Sequence, residues 1–192
     1  MSGILERPPA PARRRLDVEA LYRMAEAGIL TDPHRVELID GEIIDMAAIG
    51  SPHAAITNRL ARHFSRALPD DVALVSVQSP LRLGAYDEPE PDLMVLRPRA
   101  DGFRASHPGA DDVLLLVEVA DSSLAYDRGV KLPLYARFGV PEVWIVDLVG
   151  GAVEVFGEAK HGGYAAQKRL TGGLLTPARR PGVVVDISAL LA

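Results

Sequence analysis

Two kinds of apolar run divide this chain. Short blocks rich in Val and Leu alternate with longer stretches in which apolar residues recur every three or four positions. The densest blocks are Leu93-Met94-Val95-Leu96 and Val113-Leu114-Leu115-Leu116-Val117-Glu118-Val119, which read as buried strands. The 97–112 connection between them carries Pro, Gly and Asp and reads as a loop. Earlier, 35–39 and 42–46 flank Asp40-Gly41, the signature of a hairpin with a tight two-residue turn. In that register Glu37, Ile39, Glu42 and Ile44 share one face. Later, 142–147 reads as a further strand, parallel to 113–119 across an intervening helix. Residues 152–156 and 164–170 read as a second hairpin around a Gly-rich connection, and 72–77, 81–83 and 183–187 as further short strands.

The helical stretches carry their own punctuation. Asp17 can cap a helix to about residue 27, with Val18, Leu21, Tyr22 and Ala25 as its stripe and Gly28 as its stop. Ser51-Pro52 opens a helix to about residue 68 with Ile56, Leu60 and Phe64 on one stripe. His53 falls on that stripe and reads as a core or helix-start residue rather than a ligand. Arg59, Arg62, His63 and Arg66 form a basic stripe on another face: a solvated surface, or a place to contact phosphates. After Glu118 a helix runs to about Gly139, with Ser122-Ser123 as its cap. Lys131, Leu134, Tyr135 and Phe138 stand at i, i+3, i+4 and i+7, so the lysine lies on the apolar face. Pro133 marks a first turn or a kink in that helix. Asp127 and Lys131 alone would also suit an ordinary solvated helix pair.

If the two dense strands pair antiparallel, Asp92 at the start of one lies beside Glu118 near the end of the other. A carboxylate in an apolar strand needs a partner, because burying an unpaired charge is costly. A divalent cation and a structural salt bridge both meet that need. Gln78, at a strand end, would lie near the same rim.

Composition narrows the classes. The 192 residues suit one domain, with 1–15 a disordered tail of prolines and arginines and 16–192 folded. No cysteine is present, which excludes disulfides and thiolate zinc sites and suits a reducing cytoplasm. No apolar run is long enough to span a bilayer, and no secretory signal is visible. A net charge of −5 counts against a protein that coats nucleic acid by bulk charge. The five histidines lack metal-ligand spacing, so oxygen ligands and hence Mg²⁺ or Mn²⁺ are favoured over zinc. No Gly-rich phosphate loop or hydrolase elbow is present.

The ordered set Glu37, Pro91-Asp92, Glu118-Val119 and Lys131, followed by Tyr135-x-x-x-Gly139-Val140-Pro141-Glu142-x-Trp144-Ile145-Val146-Asp147, resembles the Uma-type restriction endonuclease family. That is a bacterial branch of the PD-(D/E)XK nuclease superfamily. The resemblance covers roughly residues 16–191. The superfamily's Glu-x-Lys is absent, since Val119 and Ala120 follow Glu118; the family pattern puts the lysine on the next helix, where Lys131 stands.

The resemblance implies an α/β fold: a restriction-endonuclease-like mixed central sheet flanked by helices, with an added N-terminal hairpin and C-terminal strands. It implies a Mg²⁺-dependent endonuclease hydrolysing phosphodiester bonds, most simply of DNA. Asp92, Glu118 and the Val119 carbonyl would hold one or two ions, Glu37 would join directly or through a water, and Lys131 would stabilise charge on the phosphate. A homodimer would suit cleavage of both strands. The alternative is a catalytically inactive nuclease-like module that binds nucleic acid or protein.

Overall fold

The structure is a computed structural model that describes residues 14–30, 36–160, 162–180 and 182–192. The expected tail through residue 13, and Arg35 of the expected hairpin, lie outside the described residues. Arg15, assigned by composition to the tail, lays its guanidinium over the Tyr86 ring and donates to the Asp40 carbonyl.

The N-terminal elements follow their local signals. Helix α1 spans Val18–Glu26, and the Asp17 side chain accepts the Ala20 N–H at 2.7 Å as its cap. Strands β1 (Val36–Ile39) and β2 (Glu42–Asp45) pair antiparallel around Asp40 and Gly41. Both turn residues have positive φ, 50° and 77°, as the tight hairpin turn requires. Glu37 faces Ile44 and Ile39 faces Glu42, so these four share a face. The other face sends Val36 and Leu38 against Val18 and Leu21 of α1. Helix α2 then spans Ser51–Ala67.

The body is a six-stranded sheet of β3 (Leu74–Val77), β4 (Leu93–Leu96), β5 (Val113–Ala120), β6 (Glu142–Asp147), β7 (Ala152–Lys160) and β8 (Gly163–Leu170), in that spatial order. All neighbours are antiparallel except β5 and β6, which are parallel. A parallel pair needs a crossover. Here it is one helical stretch: α3 (Leu124–Tyr126), a π-helical turn (Asp127–Lys131) and α4 (Leu132–Arg137).

Helices cover both faces of the sheet centre, so β5 and β6 are buried at every position and read as continuous apolar runs rather than alternating ones. On one face Ile56, Leu60 and Phe64 of α2 pack with Leu93, Val95, Val117 and Trp144. Full burial of each such side chain stabilises the fold by about 1.5–3 kcal/mol. On the other face Tyr135 and Val140 pack with Met94, Leu96, Leu116 and Ile145.

Two expected strands differ. Residues 81–83 form a loop: the Leu81 N–H bonds to the Pro89 carbonyl and the Leu83 N–H to the Asp87 carbonyl. The flanking Pro80, Pro89 and Pro91 have no N–H for a ladder. At the C-terminus the strand shortens to β10 (Val185–Asp186), paired with β9 (Leu174–Leu175). The Asp186 side chain accepts the Ala189 N–H and starts α5 (Ile187–Leu191) instead.

Candidate active site

The antiparallel register Leu93↔Val117 sets the rim of the sheet. Asp92, one residue before β4, meets the end of β5: its Oδ2 accepts the Val119 N–H at 2.8 Å. Continuing the register two residues puts Pro91 opposite Val119. Proline has no N–H, so this position cannot complete a ladder bond to the Val119 carbonyl. The same Oδ2 lies 3.0 Å from Nε2 of His53, in the first turn of α2. Glu118 is buried beside it.

Lys131 closes the constellation. Its Nζ lies 2.8 Å from Glu37 Oε1 and 3.1 Å from Glu118 Oε1, and all three residues are buried. Glu37 Oε1 also accepts the Glu90 N–H at 2.8 Å. Tyr135, one turn beyond the lysine, donates its hydroxyl to Glu118 Oε1 at 2.5 Å.

The helix that carries Lys131 is shaped by Pro133. In a regular helix the proline ring would press on the Gly129 carbonyl and leave it without a donor. The wider π turn relieves that conflict, with the Leu132 N–H reaching back to the Asp127 carbonyl. The turn is tied down at Arg128, whose guanidinium makes a two-point ion pair with the buried Glu154 of β7. Inside the turn, Asp127 is buried and accepts the Ser123 hydroxyl at 2.6 Å. Ser123 therefore sits at the expected cap position but donates to Asp127 rather than capping the helix.

The electrostatics follow from this crowding. Burial pushes the Glu118 carboxyl up to about 8, opposed by Lys131 and reinforced by Asp92, Asp127 and Glu37. Burial also raises Asp127. Burial pulls on Lys131 in the opposite sense, yet Glu118 and Glu37 more than offset it and hold the ammonium well above its usual range. The hydrogen bond to Asp92 raises His53. A single cavity is lined by Glu37, Asp92, Glu118, Val119, Asp127, Lys131, His53 and Gln78, with the 46–50 segment as an apolar wall.

Residues 18–185 match the family described as Uma2, putative restriction endonuclease. The chain belongs to that family. A solved structure of the same fold is a putative nuclease belonging to DUF820 from Anabaena variabilis ATCC 29413. It matches with a TM-score of 0.64 and 16% identity, over 81% of this chain and 89% of that one. No curated protein matches the sequence. The Uma2 family and the shared fold make this a restriction-endonuclease-like nuclease protein.

In this Uma2 member the cavity brings together Glu37, Asp92, Glu118, Val119 and Lys131, all named from the sequence. The basic stripe is apart from it: Arg59, Arg62, His63 and Arg66 line a separate concavity on α2. Arg59 there hydrogen-bonds the Ala189 and Leu190 carbonyls at the end of α5. His53, which the sequence marks as a core or helix-start residue, and Tyr135 and Asp127, to which it assigns no role at the site, also join the constellation. A tyrosine one turn from a lysine on a buried face was the available signal, because its hydroxyl needs a partner.

The donor set suits a hard divalent cation. Four carboxyl groups, Glu37, Asp92, Glu118 and Asp127, line one cavity with a single lysine, and a cation would offset their negative charge. Among the described residues no group of three or more His, Cys, Asp or Glu side chains is arranged to hold an ion. Mg²⁺ does not require one: it binds through one or two carboxylates and keeps several waters. Asp92, Glu118 and the Val119 carbonyl fit that pattern. Glu37, engaged by Lys131 and the Glu90 amide, would reach such an ion through a water.

Proposed function

We propose that this protein is a Mg²⁺- or Mn²⁺-dependent endonuclease that hydrolyses phosphodiester bonds of DNA. The observation that carries the reading is the buried Lys131 ammonium, held by Glu37 and Glu118 at the rim where Asp92 meets β5. Asp92, Glu118 and the Val119 carbonyl would hold a divalent cation, which would supply Lewis acidity to the scissile phosphate and lower the pKa of a water.

The chain's own residues do the rest. His53 and the Val119 N–H fix one Asp92 oxygen, leaving the other for the cation. Tyr135 orients Glu118. Glu37 holds Lys131 in place, and the lysine, kept protonated by its two carboxylates, stabilises charge that develops on the phosphate. That protonation state makes it a charge stabiliser rather than a general base. Arg62 and Arg66, unpaired among the described residues, are suited to contact backbone phosphates, with Arg59 and His63 beside them.

Cleavage of plasmid DNA with Mg²⁺ or Mn²⁺ tests the reading. Asp92→Asn and Glu118→Gln should each lose at least about a hundredfold in rate while keeping the wild-type circular dichroism spectrum. Wild-type rates in either variant would sink the assignment. The net charge of −5 favours a second reading, a nuclease-like binding module without activity. Titration calorimetry with Mn²⁺ separates the two, since the module needs no saturable ion site at Asp92 and Glu118.

A further inference from the structure

Gln78 stands where β3 hands over to the loop before β4. Its N–H donates to the Asp92 carbonyl at 3.2 Å, one step past the last β3–β4 pair, Val77↔Leu93. Its φ is 44°, the left-handed region that side chains other than glycine rarely adopt. A turn does not explain it as it explains Asp40, which shares a tight hairpin turn with Gly41. A strained backbone of this kind persists where the surroundings hold it, and such residues cluster at functional sites. Here the holding contact is the backbone of the catalytic Asp92 itself.

Two further observations concern the side chain. Gln78 lines the same cavity as Asp92, Glu118 and Lys131. Its carboxamide has no hydrogen-bond partner among the described residues, whereas Glu37, Glu118, Asp127, Lys131 and Tyr135 around that cavity are all engaged. A carboxamide offers two N–H donors and one acceptor without adding charge to a cluster already rich in carboxylates. A donor that is neutral and free suits an anionic oxygen arriving with substrate.

We propose that Gln78 is a catalytic residue of this site: its carboxamide N–H donates to a non-bridging oxygen of the phosphodiester held between Asp92 and Lys131. The proposal rests on the nuclease reading. The backbone strain at residue 78 is then the means by which the end of β3 turns this side chain to the cavity, and stability is given up for that placement.

Strain and function make opposite demands on Gln78→Gly, which is the test. Glycine accepts the left-handed backbone freely and lacks the donor. Wild type, Gln78→Gly and Gln78→Asn are compared by cleavage of duplex DNA with Mn²⁺, by thermal unfolding, and by Mn²⁺ titration calorimetry. Gln78→Gly should lose at least about tenfold in cleavage rate. Its unfolding midpoint should equal the wild type's or exceed it by up to about 3 °C. Its Mn²⁺ affinity should stay within about twofold, because no ion ligand is touched. Gln78→Asn keeps a carboxamide and tolerates the left-handed backbone, and should recover part of the rate. Wild-type cleavage by Gln78→Gly would overturn the proposal. A lowered midpoint would make Gln78 a structural residue, and weakened Mn²⁺ binding a support of the ion site; each would also overturn it. Failure of the wild type to cleave any nucleic acid would instead overturn the nuclease reading, and the proposal with it.

Discussion

Replacing Lys131 with methionine isolates the interaction on which the site depends. The ammonium lies 2.8 Å from Glu37 and 3.1 Å from Glu118, with all three residues buried. Methionine fills most of the space of the lysine stem, so the cavity contribution is small. What is lost is the counter-ion of two buried carboxylates. Removing one partner of a buried pair costs about 3–5 kcal/mol, a large share of a typical total of about 5–15 kcal/mol. For a chain of this length the unfolding midpoint should fall by about 10 °C.

The assay is urea denaturation followed by fluorescence of Trp144, which is the only tryptophan in the chain and fully buried. The loss should depend on pH. Without the lysine, Glu118 loses the charge that opposes the effect of its burial and binds a proton in the folded state that it releases in the unfolded state, so stability falls as pH rises. The penalty should therefore be smaller at about pH 5 than at about pH 8. Adding Glu118→Gln to Lys131→Met removes one of the stranded charges and should restore at least about half of the loss. A loss below about 1 kcal/mol, or one equal at both pH values, would refute the buried-pair account.

Three more expectations follow from the same geometry. In the wild type, burial raises Glu118 to about 8 from 4.5, so this group's stabilising proton is fully held below the unfolded value and lost as pH rises through the folded one; stability should fall across that window, flatten in Glu118→Gln, and be offset by Mg²⁺ most strongly at its alkaline end. Tyr135→Phe removes a hydroxyl that donates to Glu118 at 2.5 Å and should cost about 1.5–3 kcal/mol in urea denaturation; a cost near zero would mean that the hydroxyl is not satisfied by Glu118. If Arg62 and Arg66 contact phosphates, Arg62→Ala and Arg66→Ala should each lower the slope of log affinity for DNA against log salt by about 1 without changing sequence preference; an unchanged slope would leave the α2 stripe as solvated surface.

The sequence pattern exposed those parts of the site that local chemistry marks. Val-rich runs identified β4, β5 and β6, and the Asp-Gly turn set the register that brings Glu37 to the inner face. Lys131 was visible because a charge on an apolar stripe contradicts the stripe. The parallel pairing of β5 and β6 was visible because one helical stretch lies between them. His53 was not visible, since it lies on the α2 stripe like any core residue, and only the packing of the first turn of α2 against the start of β4 gives it Asp92. The π turn was hidden for a related reason: Pro133 announces a disturbance but not whether the helix stops, kinks or widens. The short C-terminal strand was cut back by a cap, Asp186, whose local preference outweighs the β-branched run before it.

On the proposed reading, Asp92 and Glu118 hold a divalent cation beside Lys131. Crystals soaked in Mn²⁺ and measured for anomalous scattering test it most directly. A peak is expected between the two carboxylates, within reach of the Val119 carbonyl, with the Lys131 ammonium a few ångströms away. An empty map at that position under saturating Mn²⁺, or a peak only elsewhere in the molecule, would contradict it.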